Sequence, residues 1–138
     1  ATAESCTGGL IVNRITNIPG ASEVFTHGWV TYSNMAKADQ LGVETSVITK
    51  SGAVSEEVAR QMAKGALEKS GADIAVSITG IAGPDGGTEE KPVGTAWIGL
   101  AINGGETLAI RVFHPRNRKD FKQSVSQSAL NMIRIKLG

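Results

Sequence analysis

The sequence predicts a single layered α/β/α domain over residues 1–138, built on a mixed sheet that includes one antiparallel hairpin. Two patterns predict this fold class. Segments with apolar residues at helical spacing alternate along the chain with short runs of β-branched and aromatic residues, which is the order of elements in a layered α/β fold. Two of these runs flank Asn103-Gly104-Gly105-Glu106, a β-hairpin signature, so one strand pair should be antiparallel.

Four helices follow from polar start signals, apolar residues at helical spacing, and stop signals that contain glycine. They cover about residues 10–15, 34–41, 55–70 and 117–137. In the second helix Asn34 is the predicted N-cap, because its side chain can accept a hydrogen bond from the free amides of the first turn.

Five strands are predicted from runs of β-branched, aromatic and other apolar residues. They cover residues 24–33, 43–48, 73–78, 93–102 and 107–113. We predict no strand before Ser5, although the motif around it is typical of a strand–turn–helix junction. We therefore expect the leading strand, with a helix before it, to lie upstream of residue 1.

Composition excludes several classes of function. Charged residues make up 20% of the 138 and nearly balance, at a net charge of +1, which disfavours nucleic acid and anionic membranes as partners. The single cysteine, Cys6, forms no internal disulfide and fits a reducing compartment. Without a membrane-length apolar run or a leader-like start, we expect a cytoplasmic protein.

The first chemically suggestive motif is Glu4-Ser5-Cys6-Thr7-Gly8-Gly9. Amides at the start of the following helix can stabilise a phosphate or an oxyanion, and the two glycines allow close approach of a ligand. Ser5 is placed to be a nucleophile, but the spacing equally suits a plain helix cap. For Cys6, a small buried residue is favoured over a reactive thiol, since no histidine is near in the sequence.

The second motif runs from Tyr32 to Lys37, at the start of the second predicted helix. A cation in a first helical turn opposes the helix dipole, so the neutral amine of Lys37 is relatively favoured, as a general base requires. A solvated surface lysine is the alternative. Tyr32, the only tyrosine, would ordinarily be half-buried on a strand.

The third motif is the loop from Thr79 to Thr88, with four glycines and a proline after a buried strand. Loops in this position commonly bind ligands, and their amides can form an anion-binding nest, although a purely structural turn remains an alternative. Arg118 belongs to a basic cluster that either contacts a phosphate or is solvated. His27 and His114 lack metal-ligand spacing, so no metal site is predicted.

Together these segments resemble the CinA C-terminal (PncC-like) domain family over nearly the whole chain. The matching motifs occur in the same order and at similar spacing, and their combination is highly specific. They are Ala3-Glu4-Ser5-Cys6-Thr7-Gly8-Gly9, Pro19-Gly20-Ala21-Ser22, Tyr32-Ser33-Asn34 with Lys37, Gly52-Ala53-Val54-Ser55, Thr79-Gly80-Ile81-Ala82-Gly83-Pro84-Asp85-Gly86-Gly87 and Lys91-Pro92-Val93-Gly94-Thr95.

The resemblance implies an amidohydrolase that converts nicotinamide mononucleotide (NMN) to nicotinic acid mononucleotide and ammonia in pyridine nucleotide salvage, with no metal or cofactor. It implies Ser5 as the nucleophile and Tyr32 and Lys37 as its activating partners. The substrate contacts combine the family's pattern with the motifs above: Cys6, Thr7, Gly8, Thr79, Gly80, Gly83 and Arg118. Arg118 is the weaker match.

Two alternatives come from other classes of protein. One is a non-catalytic nucleotide-binding or regulatory module of the competence or damage-inducible type. The other is a penicillin-recognising serine hydrolase, which is disfavoured because Ser5 has no lysine three residues later and no Lys-Thr-Gly occurs. A homo-oligomer is left open.

Overall fold

The computed structural model describes residues 1–138 and is organised around one five-stranded sheet. Along the sheet the order is β2-β1-β3-β4-β5, with β1 parallel to both β2 and β3, and with β4 antiparallel to β3 and β5. The predicted α/β fold with a mixed sheet and one hairpin is confirmed. The strands are β1 Thr2–Glu4, β2 Gly28–Val30, β3 Ile74–Gly80, β4 Thr95–Ile102 and β5 Thr107–Phe113.

Five helices cover the two faces of the sheet. Helix α4 packs on one face with α2 and α3 against it, while α1 and α5 pack on the other face. None of the helices is both long and apolar enough to cross a membrane. The helices are α1 Leu10–Thr16, α2 Asn34–Leu41, α3 Thr45–Ser51, α4 Glu56–Ser70 and α5 Arg118–Leu137, and one turn of 3-10 helix covers Ala21–Glu23.

Strand β3 shows how the sequence separates the two cores. Because side chains alternate along a strand, Ala75 joins the core beneath α4, while Val76 and Ile78 join the core beneath α5. Ser77, on the α4 side, donates to the carbonyl of Ala59 at 2.6 Å, so its buried hydroxyl is paired. The strand is therefore buried on both faces, as expected of a central strand.

Helix α2 is held against α4 by a close approach of backbone atoms. Gly65 on α4 lies directly against the carbonyl of Leu41, the last residue of α2, and a side chain there would overlap that carbonyl. The contact fixes how deep α2 lies against α4, and α2 carries Lys37 in its first turn.

The structure corrects several local predictions. The strand over residues 43–48 is wrong: Thr45–Ser51 form α3, whose β-branched Ile48 packs in the core beneath α4, so tertiary packing outweighs strand propensity. The strand over 24–33 shrinks to Gly28–Val30, a short edge strand. Ser33 rather than Asn34 caps α2, accepting from the amide of Ala36 at 3.0 Å.

A further correction concerns the strand before Ser5. It is not upstream of residue 1, because Thr2–Glu4 themselves form β1, which lies between β2 and β3 and pairs with both. At the other end of the site, β3 extends through Thr79 and Gly80, so these two residues belong to the strand and not to the loop that follows.

Candidate active site

Most of the predicted site residues surround one cavity of about 270 Å³. It lies where the parallel strands β1, β2 and β3 end, which is the edge of an α/β sheet where ligands commonly bind. The predicted residues that line it are Ser5, Cys6, Tyr32, Lys37, Thr79, Gly80, Gly83 and Arg118. Thr7 and Gly8 do not line it.

Ser5 and Lys37 are in direct contact although 32 positions separate them in the chain. Lys37 Nζ lies 3.0 Å from Ser5 Oγ, and both residues are buried, with Lys37 only 1% exposed. The lysine is therefore not the solvated surface residue that the sequence left open. Ser5 follows β1 directly, at the start of the turn into α1, and its hydroxyl is directed to the lysine rather than to a helix amide.

Two backbone carbonyls complete the surroundings of Lys37 Nζ. It donates to the carbonyl of Thr31 at 2.8 Å and to that of Tyr32 at 3.3 Å, and no carboxylate pairs with it. A neutral amine has two N–H groups and one lone pair. The two carbonyls suit the two N–H groups, which leaves the lone pair for the hydroxyl proton of Ser5.

Burial lowers the pKa of Lys37 below its usual range, because desolvation disfavours the ammonium form. A negative charge on the Cys6 sulfur would act in the opposite direction, as the smaller effect. The sulfur carries little of this charge, because burial raises the pKa of Cys6 to about 12 and keeps the thiol protonated. The cavity therefore favours a neutral lysine beside a serine hydroxyl, and an unreactive thiol.

Thr7 and Gly8 shape the turn that carries Ser5. The hydroxyl of Thr7 donates to Glu4 Oε1 at 2.7 Å, and Gly8 adopts a φ of 62°, a left-handed conformation that favours glycine. The amides of Cys6 and Thr7 donate to no oxygen of the chain. Of the two residues only Cys6 lines the cavity, so its amide is the one available to stabilise negative charge beside Ser5.

Arg118, the first residue of α5, joins two sides of the cavity mouth. Its Nη1 donates to the carbonyl of Gly83 at 2.8 Å and its Nη2 to the hydroxyl of Tyr32 at 2.9 Å. Tyr32 lies beyond the end of β2 and is 60% exposed, so the prediction of a half-buried strand residue is wrong. Its hydroxyl contacts neither Ser5 nor Lys37, and only its carbonyl reaches the lysine.

The end of β3 and the loop after it also line the cavity. The hydroxyl of Thr79 donates to the carbonyl of Ala53 at 2.8 Å. Its proton is therefore not available for a hydrogen bond to a ligand. Gly83 has a φ of 80° and packs tightly against Val93, so a side chain there would both strain the backbone and overlap Val93. Between Ala82 and Gly87 no amide donates to an oxygen of the chain, so these donors remain without a partner in the protein.

Sequence reasoning missed several contributors to the site. Asn34, Ala53, Val54 and Asp85 also line the cavity, and all four lie within the motifs quoted above. Thr31 had no sequence signal, because it contributes a backbone carbonyl. No group of three or more His, Cys, Asp or Glu side chains is arranged to hold a metal ion.

Solved structures of similar proteins share this fold. Competence/damage inducible protein CihA from Agrobacterium tumefaciens is 47% identical, with a TM-score of 0.93 over 96% of this chain and 81% of that one. Competence damage-inducible protein A (ComA) from Klebsiella pneumoniae is 33% identical, with a TM-score of 0.94 over 99% of this chain and 84% of that one.

Sequence relatives agree with the structural match. A CinA-like protein of Akkermansia muciniphila is 60% identical over 130 residues, which is 94% of this chain and 31% of that protein. A putative competence-damage inducible protein of Caldicellulosiruptor saccharolyticus is 54% identical over 135 residues, 97% of this chain and 32% of that protein. The chain thus spans about a third of their length. The family model of the CinA C-terminal domain matches residues 1–137, and the chain belongs to that family.

Proposed function

We propose that this domain is an amidohydrolase that converts NMN and water to nicotinic acid mononucleotide and ammonia. The observation that carries the proposal is the 3.0 Å contact between the buried Lys37 Nζ and Ser5 Oγ. A hydroxyl becomes a competent nucleophile when a base takes its proton, and a lysine serves as that base when burial keeps it neutral. The NMN substrate rests on the family resemblance together with the fit of the cavity.

The first half of the reaction forms an acyl-enzyme. Neutral Lys37 accepts the hydroxyl proton of Ser5, and the oxygen attacks the carboxamide carbon of the substrate. The free amide of Cys6 stabilises the oxyanion that develops. When the tetrahedral intermediate collapses, the carbon–nitrogen bond breaks, and Lys37 returns its proton to the leaving ammonia.

The second half restores the enzyme. Water takes the place of ammonia, gives a proton to Lys37 and attacks the ester carbon. The carbon–oxygen bond to Ser5 then breaks, and the serine oxygen recovers its proton from Lys37. One base thus serves both halves, as in other two-step acyl transfers. Since Tyr32 has its hydroxyl on Arg118, the proton moves directly between Ser5 and Lys37 in this mechanism.

The cavity suits one end of a nucleotide better than the whole of it. Its volume of about 270 Å³ lies just below the range of about 300–1,000 Å³ typical of small-molecule pockets. The carboxamide end therefore enters beside Ser5, while the phosphate stays at the mouth. There the Arg118 guanidinium retains N–H groups beyond the two that bind Gly83 and Tyr32, and a guanidinium recognises phosphate well.

The direct test is ammonia release from NMN, free nicotinamide and asparagine, with Ser5→Ala as the control. We expect NMN to be the preferred substrate and the variant to be inactive. Absence of ammonia release from NMN by the wild-type protein would refute the proposal.

A second candidate is a non-catalytic nucleotide-binding or regulatory module. The names of the relatives, which refer to competence and damage induction, favour it. It predicts NMN binding by calorimetry without ammonia release, so the same assay separates the two functions.

We further infer a cytoplasmic enzyme that acts on a small molecule, without a nucleic-acid or membrane partner and without a cofactor. The near balance of charge, at a net of +1, supports the part of this inference that concerns nucleic acid and membranes. A homo-oligomer is to be tested by light scattering.

A further inference from the structure

Glu4 is a buried carboxylate that the mechanism above leaves unused. It is the last residue of β1, directly before Ser5, and is 0% exposed. No lysine or arginine pairs with it. Placing a carboxylate away from water is costly unless several donors compensate it, so its contacts indicate what it does.

Three donors surround the carboxylate, and all come from the turn and helix after Ser5. Oε1 accepts from the hydroxyl of Thr7 at 2.7 Å and from the amide of Ile11 at 2.9 Å. Oε2 accepts from the amide of Val12 at 3.2 Å. The side chain thus closes a loop of hydrogen bonds around the turn that begins with Ser5, and fixes where β1 ends relative to α1. Hydrogen bonds to an ionised acceptor are about twice as strong as neutral ones.

The backbone of the same residue holds the other member of the pair. The carbonyl of Glu4 accepts from the amide of Thr31 at 2.9 Å, and the carbonyl of Thr31 accepts from Lys37 Nζ at 2.8 Å. Glu4 is therefore linked by hydrogen bonds to both members of the pair. Its side chain binds the turn that carries Ser5, and its carbonyl binds the amide of Thr31, whose own carbonyl binds Lys37 Nζ.

We propose that Glu4 is a positioning residue, which sets the distance and angle between Ser5 Oγ and Lys37 Nζ without touching the substrate. Thr7 is its partner, and acts by keeping one carboxylate oxygen directed to the turn. For its substrate the inference rests on the proposed function, but the reactivity of the Ser5–Lys37 pair can be measured independently of NMN.

The principal test is Glu4→Gln, which keeps the shape but turns one acceptor oxygen into an NH₂ group facing donors. We expect kcat for NMN to fall roughly 10²-fold, since a displacement of about 1 Å at reacting groups has an effect of that size. KM should stay within about twofold, because Glu4 lies outside the cavity lining.

Thr7 gives a graded second test that spares the carboxylate. Thr7→Ser keeps the donor and should retain near-wild-type kcat, whereas Thr7→Val removes the donor and should lower kcat in the direction of Glu4→Gln. If Glu4→Gln does not fold, the comparison of kcat between Thr7→Ser and Thr7→Val tests the positioning role instead.

Ser77→Ala is the matched control for stability. It removes a buried hydrogen bond, from Ser77 to the carbonyl of Ala59, on the face of β3 that packs against α4. It should lower the melting temperature while leaving kcat unchanged. Loss of kcat in Ser77→Ala equal to that in Glu4→Gln or Thr7→Val, at equal loss of stability, would overturn the positioning role.

A fluorophosphonate probe separates this inference from the proposed function. In that reaction the Ser5 oxygen bonds to phosphorus, fluoride leaves and the hydroxyl proton passes to Lys37, with no NMN involved. We expect labelling of Ser5, followed by mass spectrometry, to be at least tenfold slower in Glu4→Gln and Thr7→Val than in wild type and Ser77→Ala. Wild-type labelling without ammonia release from NMN would refute only the proposed function, while equal labelling rates in all variants would refute the role of Glu4.

Discussion

Replacing Lys37 with arginine tests whether its amine acts as a base or only as a charge. Lys37 Nζ contacts Ser5 Oγ and two backbone carbonyls, at distances between 2.8 and 3.3 Å. Arginine preserves the positive charge and can donate to the same carbonyls, but it has no lone pair to accept the serine proton at ordinary pH. Lys37→Met removes both the charge and the base at similar size.

The expected magnitude follows from the role of the amine. A positioned general base contributes about 10²–10⁴-fold to the rate, and each tenfold change corresponds to about 1.4 kcal/mol of activation free energy. The loss should therefore be about 2.8–5.6 kcal/mol in both variants. If Lys37 supplied only charge, arginine would retain most of the activity and methionine would not.

The assay is kcat/KM for ammonia release from NMN between pH 6 and 10, with melting temperatures measured in parallel. In the wild type, activity should rise with pH as the Lys37 ammonium loses its proton, and burial places that rise below the usual range of a lysine. In both variants this rise of kcat/KM with pH should be absent. A folded Lys37→Arg protein with more than a tenth of wild-type activity and an unchanged pH profile would refute the base assignment.

Three further predictions concern the serine, the arginine and the stability of the fold. Ser5→Ala should lower kcat at least about 10³-fold, and more than a tenth of wild-type turnover would remove Ser5 from the nucleophile's role. Arg118→Ala should lower kcat/KM for NMN toward the value for free nicotinamide, because the phosphate loses its partner; an equal loss with both substrates would contradict phosphate recognition. Because folding lowers the pKa of Lys37 below its ordinary 10.5, the unfolded chain binds more protons between the two values, so urea denaturation should show stability rising with pH across that interval. Lys37→Met should flatten this rise, and an unchanged slope would show that another group causes it.

The elements predicted correctly from the sequence are those with local signals. Helix α4 begins after Ser55, whose hydroxyl accepts from the amide of Val58, and ends at Gly71 in a left-handed conformation, so both limits depend on neighbouring residues. Helix α3 also ends at a glycine, Gly52, but no side chain caps its start at Glu44. Its β-branched residues favour a strand locally, and as a helix it packs Val47 and Ile48 against the core beneath α4.

The site was predictable in its residue types but not in its contacts. The motifs contain Ser5 and Lys37, yet no periodicity predicts that side chains 32 positions apart will meet. The carbonyl of Thr31 carries no sequence signal, since every residue has one. The hydroxyl of Tyr32 was expected to activate Ser5, but it binds Arg118, which lies 86 positions away and enters the site only through the docking of α5.

The absence of a carboxylate partner for Lys37 has a consequence for how this domain responds to selection. The ammonium form of a buried lysine is poorly compensated when its partners are only neutral oxygens, so changes that stabilise the fold would replace the residue or supply a counter-ion. Replacement would remove the amine, and a counter-ion would hold it in the ammonium form. In both cases residue 37 could no longer accept the serine proton. Selection for thermal stability and selection for catalysis therefore favour different residues at position 37. Libraries screened for thermal stability alone should accumulate folded, inactive proteins substituted at Lys37.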